Sequence, residues 1–498
     1  MATLEDFRNE RLRKLEELKK LGVETYPAHT ERDTDIALVT TDFDKLEGKK
    51  VVVAGRIMAI RSFGKMAFLK LRDYSGEVQV FWANNASELG PEVGAALTAS
   101  GPTQTLLLAQ IGLLDTGDFV EISGLVGKTK TGEISVMAEN VKLLTKTLRP
   151  LPGRDGFTNK EERYRRRYVD LNVNLDVRER FVRKSNFWTA VREFLNANGF
   201  VEMDLPVLEK TTGGADANPF VTHMEALDQD FYLRISHELP LKRLIGGGYE
   251  RVYSIGARFR NEGMSDEHLP EHVAMEWYAA YWDWERGMQF TEEMVRFVAD
   301  KTWGKRVFEL ENGRTIDLGK DGESYPRISF VGTIQERFGI DVFDTTLDEV
   351  KAKMKEHGVK LEESDSIGRG IDKLWKTVRT EIVGPAFLID IPVFLQPLAK
   401  RSEKDPRLSE QFNLMLDGTE ACKAYSELND PIDQLERFNE QQALRDAGDD
   451  EAMMLDLDFV EMLEYGMPPT CGYGHSERLF WLLEGVSARE GSLFPPMR

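Results

Sequence analysis

Three observations predict an α+β protein in which a small all-β barrel precedes a larger antiparallel sheet with flanking helices. Five short β-rich runs crowd residues 51–146, later strand-like runs are joined by short reversals, and 498 residues exceed one ordinary core. The short reversals favour antiparallel pairing over a βαβ winding.

Residues 1–47 form a lead-in whose Leu4, Phe7, Arg11, Leu15 and Leu18 recur at helical spacing, predicting an amphipathic helix over 4–21. Over 48–148 the period shortens. "VVVAGRIMAIRSFGKMAFLKLRDYSGEVQVFWA" alternates β-rich runs with turns, "DYSG" and "KTKTGE" read as hairpins, and "DFVEISGLVGK" and "EISVMAENVKLL" complete five strands. That count suits a Greek-key barrel of the OB type, whose face often binds oligonucleotides.

Pro150, Pro152 and Gly153 open an expected linker over 149–177, which holds the basic strip Arg163, Arg165, Arg166 and Arg167 around Tyr164 and Tyr168. Taken alone, that strip reads as an ion-paired solvated segment. The second domain, 178–498, starts with a helix carrying Phe181, Val182, Trp188, Val191, Phe194 and Leu195 on one face and stopped by Gly199. Strands follow at "FYLRIS", "RVYSIGARFRN", "HVAMEWYAAY", "AFLIDIP" and "QFNLMLDG", with a helical insertion near 340–380.

Composition bounds the function. Hydrophobic residues at 41% and charged residues at 30% describe a globular chain. No stretch suits a membrane span and the N-terminus lacks an apolar signal region, so no membrane partner and a cytoplasmic location are expected. Cys422 and Cys471 are too few and too isolated for a disulfide framework. A net charge of -20 repels nucleic acid on average but leaves room for a local binding face.

In "ARFRNEGMSDEHLPEHVAMEW", Arg258, Arg260 and Glu262 alternate and so share one face of a strand, a fork suited to phosphate or carboxylate. His268 and His272 stand four apart like a helical zinc pair, but Pro270 between them opposes the helix. Glu420 and Glu427 are placed as possible Mg²⁺ ligands, and Glu238 and Glu276 lie among apolar neighbours, where a buried carboxylate asks for a cation. "CGYGHSERLF" reads as a glycine-rich turn at Gly472 and Gly474 before Arg478, and no GxxxxGK[ST] loop is present.

In this order the pieces resemble a class II aminoacyl-tRNA synthetase of subclass IIb, most closely the lysyl-tRNA synthetases, over nearly the whole chain. "GFVEMDLPVL" with Pro206 is similar to the first class motif, "FRNEGMSDEHLPEHVAMEW" to the second, and "CGYGHSERLF" with "LFPPMR" to the third. The resemblance implies the class II synthetase antiparallel sheet preceded by an OB-fold anticodon-binding barrel. It implies lysine activation with ATP and Mg²⁺, transfer to tRNA(Lys), and a homodimer.

Carried onto this sequence, the resemblance assigns Arg260 to the α-phosphate, Arg478 and His268 to the outer phosphates, His272 to the adenine and Glu262 to the catalytic set. Glu420 and Glu427 take Mg²⁺, while Gly214, Glu238, Glu276, Tyr278, Tyr425 and Glu427 take L-lysine. Arg61, Phe68, Gln79 and Glu133 match the positions that read a U-rich anticodon. Three departures mark the chain: His272 stands where relatives place phenylalanine, Lys423 replaces a pocket asparagine, and the third motif is one residue shorter. The alternative readings are an aspartyl- or asparaginyl-tRNA synthetase, or a synthetase-like tRNA-binding protein without adenylation.

Overall fold

A computed structural model describes residues 3–83, 105–153, 156–361, 366–446, 448 and 452–497. The chain divides into two compact units, Met1–Thr158 and Asn159–Arg498.

In the first unit, five strands close a barrel: β1 (Lys50–Ser62), β2 (Met66–Arg72), β3 (Glu77–Ala83), β4 (Phe119–Lys128) and β5 (Ile134–Thr145), in the order β1-β2-β3-β5-β4. On β2 and β3 strict alternation builds it, since Ala67, Leu69, Leu71, Val78, Val80 and Trp82 fill the interior. Between β2 and β3, Asp73 Oδ1 accepts from the Ser75 and Gly76 amides, which fixes the expected "DYSG" hairpin. The N-terminal helix runs Leu4–Lys20 behind a Thr3 cap, but only its later face is covered: Leu15 and Leu18 are buried while Leu4 and Phe7 are exposed. Buried Arg11 instead donates to Thr147 Oγ1 at 2.6 Å and to the Thr116 carbonyl.

The second unit begins earlier than the expected boundary. Residues 160–173 form helices rather than a linker, because Asp170 draws Arg163 and Arg167 together at 2.8 and 2.9 Å and Arg167 also donates to the Leu493 carbonyl. Helix Leu175–Ala197 follows, with Gly199 at φ +79° ending it as expected.

Its main sheet has eight strands: β6 (Val201–Glu202), β10 (Arg251–Phe259), β11 (Glu271–Ala280), β14 (Arg327–Ser329), β15 (Ala386–Ile389), β16 (Gln411–Leu416), β17 (Thr419–Ser426) and β18 (Thr470–Ser476). The order is β14-β15-β16-β17-β18-β11-β10-β6, antiparallel except at its two outer pairs. A small sheet holds β7 (Leu208–Glu209), β8 (Val221–Met224) and β9 (Gln229–Leu233), and a hairpin holds β12 (Val307–Glu309) and β13 (Thr315–Asp317). The expected "FYLRIS" strand thus belongs to the small sheet.

Helices Leu175–Ala197 and Trp284–Trp303 cover one face of the main sheet, where Phe194, Phe290, Trp277 and Tyr473 pack together. Within the expected insertion, Val350, Ile371 and Trp375 pack with Phe330 and Ile334 before it and with Leu388 and Met415 of the main sheet. The insertion's residues 362–365 lie outside the described residues.

Candidate active site

Strand alternation decides which side chains meet. On β11, Met275, Trp277 and Ala279 enter the core, so His272, Glu276 and Tyr278 take the opposite face. Register carries that face across the sheet: Glu276 pairs with Gly474, Gly474 with Lys423, and Lys423 with Asn413. The next row runs Tyr278, Gly472, Tyr425 and Gln411. These rows floor a cavity of about 360 Å³.

At its deep end, helix Glu238–Gly246 places Glu238 and Lys242 one turn apart. The Lys242 ammonium lies 2.6 Å from Glu238 and also pairs with Glu427, while the Tyr425 hydroxyl donates to Glu238 at 2.5 Å. All three charged side chains are at most 4% exposed. Burial pulls the ammonium down, but Glu238 and Glu427 outweigh it and hold Lys242 above its ordinary value. Burial, with the Glu238 charge adding to it against Lys242, raises Glu427 well above the carboxylate range.

Midway along, Glu276 accepts from Ser236 Oγ at 2.9 Å and from the His237 amide at 3.2 Å. Burial would raise this carboxyl, but His237 and Arg258 overcome it and hold it at about 2. Arg258 is spent locally, donating to His272 Nε2 at 2.8 Å and lying 3.4 Å from Glu276. His272 Nδ1 meets the Leu269 carbonyl at 3.1 Å, so the ring is neutral with its proton on Nδ1. Burial and the neighbouring arginines push His272 down to about 2.

At the open end, Arg260 follows β10 and Arg478 follows β18, and both Nε atoms are buried without a hydrogen-bond partner among the described residues. Burial lowers both guanidinium groups, and Glu262 partly offsets this at Arg260. His268 holds Ser265 Oγ at 2.9 Å and is lowered by burial and by Arg478. Two forks with buried, unanswered donors define an anion site.

The structure brings Gly214, Glu238, Arg260, Glu262, His268, His272, Glu276, Tyr278, Glu420, Tyr425 and Arg478 onto this one cavity. Gly214 has φ +86°, and a Cβ there would lie 2.8 Å from both Glu238 Cβ and Ser236 Oγ. It does not bring together the expected metal pair. Glu420 and Glu427 are separated by the length of β17, roughly 20 Å for an extended strand. Glu427 is committed to Lys242, whereas Glu420 accepts from Trp375 Nε1 at 3.1 Å and Asn413 Nδ2 at 2.9 Å and faces Arg379 at 3.6 Å. The Asn413 oxygen in turn accepts from Gln411. These residues do not fit a two-carboxylate magnesium site, and among the described residues no cluster of three metal-ligating side chains occurs.

Two further expectations change. The expected turn at Gly472 and Gly474 is strand β18 at the middle of the sheet. The zinc-like histidines separate, His268 to a loop and His272 to a strand. Sequence reasoning passed over Lys242, although its place four residues after Glu238 on a helical run was a readable signal. It also passed over Arg379, Trp375 and Asn413, which only the packing brings to Glu420.

On the barrel, Arg61 is opposite Phe68 in register, and Phe68 contacts Phe81 and exposed Phe63 with ring centroids 5.3 and 6.2 Å apart. Gln79 donates to Ser135 Oγ at 3.0 Å, and Glu133 stands two positions before that serine, beyond the turn at Gly132. Phe63 and Phe81 extend the expected set into an outer aromatic row.

The sheet, its paired arginines and the preceding barrel define a class of protein. Residues 159–498 match the class II tRNA synthetases (D, K and N), and residues 51–144 match the OB-fold nucleic acid binding domain. The chain belongs to the class II tRNA synthetase family.

Its relatives include lysine-tRNA ligases. That of Thermotoga maritima is 41% identical over 501 residues, covering 99% of this chain and 96% of the relative. That of Carboxydothermus hydrogenoformans is 42% identical over 494 residues, 98% of this chain and 97% of the relative. That of Enterococcus faecalis is 39% identical over 512 residues, 100% of this chain and 99% of the relative.

Proposed function

We propose that this chain is a lysine-tRNA ligase: it activates L-lysine with ATP and transfers the lysyl group to tRNA(Lys). One observation carries the amino acid choice. Two buried carboxylates, Glu238 and Glu427, share the single ammonium of Lys242, which leaves the deep end one cation short. The ε-ammonium of lysine supplies that charge, with the Tyr278 and Tyr425 rings beside its stem. An aspartate or asparagine side chain would bring an anion or a neutral amide to the same carboxylates.

The order along the strands suits in-line chemistry. With its side chain toward Glu238, lysine presents its carboxylate toward the arginines, where ATP lays its phosphates. A carboxylate oxygen attacks the α-phosphorus, the bond to the β-phosphate breaks, and diphosphate leaves with its charge facing Arg478 and His268. Arg260 stabilises the charge on the α-phosphoryl oxygens as they pass through the transition state. A terminal ribose hydroxyl of tRNA then attacks the acyl carbon and AMP leaves. Glu420 and Glu427 do not meet, so they do not together hold a metal for this step.

The barrel's aromatic row offers stacking platforms for unpaired anticodon bases, with Arg61, Gln79 and Glu133 around it. A homodimer is supported by the edge strand β6 and the exposed apolar residues Val201, Val207, Leu208 and Val221 near it in sequence. No helix among the described residues is long and apolar enough to cross a membrane, and the reaction belongs with the cytoplasmic tRNA pool.

Amino-acid-dependent exchange of diphosphate into ATP tests the reading. Exchange with lysine and not aspartate is expected, and the reverse would overturn it. Sedimentation at micromolar concentration tests the dimer, for which a single monomer boundary is the contrary result.

A further inference from the structure

We infer that the helical insertion supplies a further phosphate-binding residue, Arg379, which pairs with Glu420 in the free chain and turns to the outer phosphates when ATP enters. The inference rests on the adenylation reading of the site and deepens it by giving the insertion a part in nucleotide binding.

The end of the insertion meets the cavity wall at Glu420. Its helix Ile367–Val378 runs into the short turn Arg379–Glu381, and Trp375 and Arg379, four residues apart, face the same carboxylate. The Trp375 ring is buried in the apolar cluster of the insertion, so the N–H that it gives to Glu420 Oε1 at 3.1 Å ties that cluster to β17. Backbone contacts pin the turn as well. The Asp417 and Gly418 amides donate to the Val383 and Ile382 carbonyls at 2.7 Å each, and Arg314 donates to the Thr380 carbonyl at 2.6 Å. Gly418 has φ +72°, and a Cβ there would lie 2.7 Å from Thr380 Cα, so glycine is what admits this approach. The root of the Arg379 side chain is thereby fixed beside Glu420.

Its tip is not committed. Glu420 already accepts from Trp375 at Oε1 and from Asn413 at Oε2. The Arg379 guanidinium stands beside this carboxylate as an ion pair at 3.6 Å, and among the described residues it forms no hydrogen bond. Both partners are partly exposed, at 20% for Arg379 and 31% for Glu420, and a long pair in contact with water contributes little. A more highly charged anion that offers in-plane oxygens therefore takes the guanidinium from it.

The cavity end beside Glu420 is where such an anion is expected. Glu420 lines the same cavity as Arg478 and His268. Burial is the main cause that lowers both of those groups, and the Arg379 charge adds to it at each. Glu420 by itself would repel a triphosphate. Arg379 cancels that charge in the free chain and answers the phosphates in the bound one.

The test compares ATP with AMP, which lacks the outer phosphates, by calorimetry on the full chain at one fixed Mg²⁺ concentration. Wild-type protein should prefer ATP. Arg379→Ala should weaken ATP by about 10- to 100-fold, the scale of one charge-assisted hydrogen bond, and leave AMP within about twofold. Arg379→Lys keeps the charge and should lose less than the alanine variant. In diphosphate exchange, Arg379→Ala should raise the KM for ATP while the KM for lysine stays within about twofold, a split that a purely structural role of the turn would not produce. Equal losses for ATP and AMP, or an unchanged preference for ATP, would overturn the assignment. Absence of diphosphate exchange with either lysine or aspartate in the wild-type protein would instead overturn the adenylation reading itself, so the two failures are distinct.

Discussion

At the scale of single residues, the deep end of the cavity is governed by an imbalance of charge. Glu238 and Glu427 share one buried ammonium, so replacing Glu238 by glutamine removes the charge that a second ammonium needs. Glu238→Gln should raise the KM for lysine by about 100-fold, as for truncating a buried charge partner, and leave the KM for ATP within about threefold. Equal losses for both substrates in steady-state exchange would contradict the pocket role. The same imbalance predicts a pH dependence. Burial and Glu238 raise Glu427, so the free site retains a proton above the ordinary carboxylate range. An incoming ammonium favours the ionised carboxylate and expels that proton. Lysine affinity should therefore rise with pH above the carboxylate range and level off above the raised value of Glu427. Calorimetry in buffers of differing ionisation enthalpy should show proton release on binding, and a buffer-independent heat would count against the proton.

Single elements decide how much of this was legible beforehand. The strands β2 and β3 were readable because one face is buried and the alternation is strict, as in Ala67, Leu69 and Leu71, whereas β4 and β5 break it at register shifts. The central strand β18 was not, because "TCGYGHS" carries two glycines, and glycine ordinarily signals a turn. Here glycine marks close approach: a Cβ on Gly472 would fall 2.0 Å from Glu427 Oε1 and 2.3 Å from Tyr278 Cε1. Likewise, Glu420 and Glu427 are expected to share one metal, but extended backbone carries them to opposite ends of a strand. Alternation made Arg258 legible, but β10 ends at Phe259, so Arg260 and Glu262 reach the cavity from the loop beyond it rather than from a shared strand face, and which arginine stays uncommitted depended on His272 and Glu276. Gly472→Ala tests the strand directly. Forced overpacking should cost about 1–3 kcal/mol by chemical denaturation and displace Glu427, raising the lysine KM more than the ATP KM. Unchanged stability together with an unchanged lysine KM would show that the approach is not as close as the geometry requires.

For the molecule as a whole, the division into two units separates recognition of the nucleic acid from chemistry on the amino acid. Its net charge of -20 gives no general attraction to tRNA, so binding must be local. The outer row of Phe63, Phe68 and Phe81, with Arg61 opposite Phe68, is the place proposed for it. Stacking contributes about 1–3 kcal/mol per base, so removing one ring should weaken tRNA by about 10- to 100-fold. Phe68→Ala should accordingly raise the tRNA KM in charging assays, while lysine-dependent diphosphate exchange, which needs no tRNA, stays within about twofold. Phe81→Ala tests the ring that the sequence did not single out, because Phe68 leans on it at 5.3 Å. If Phe81 only props Phe68, the double variant should lose no more than Phe68→Ala alone; if each ring holds its own base, the losses should add. Loss of exchange along with charging would mean that the substitution damages folding of the chain rather than contact with tRNA, and thermal unfolding of the same variants separates those two causes.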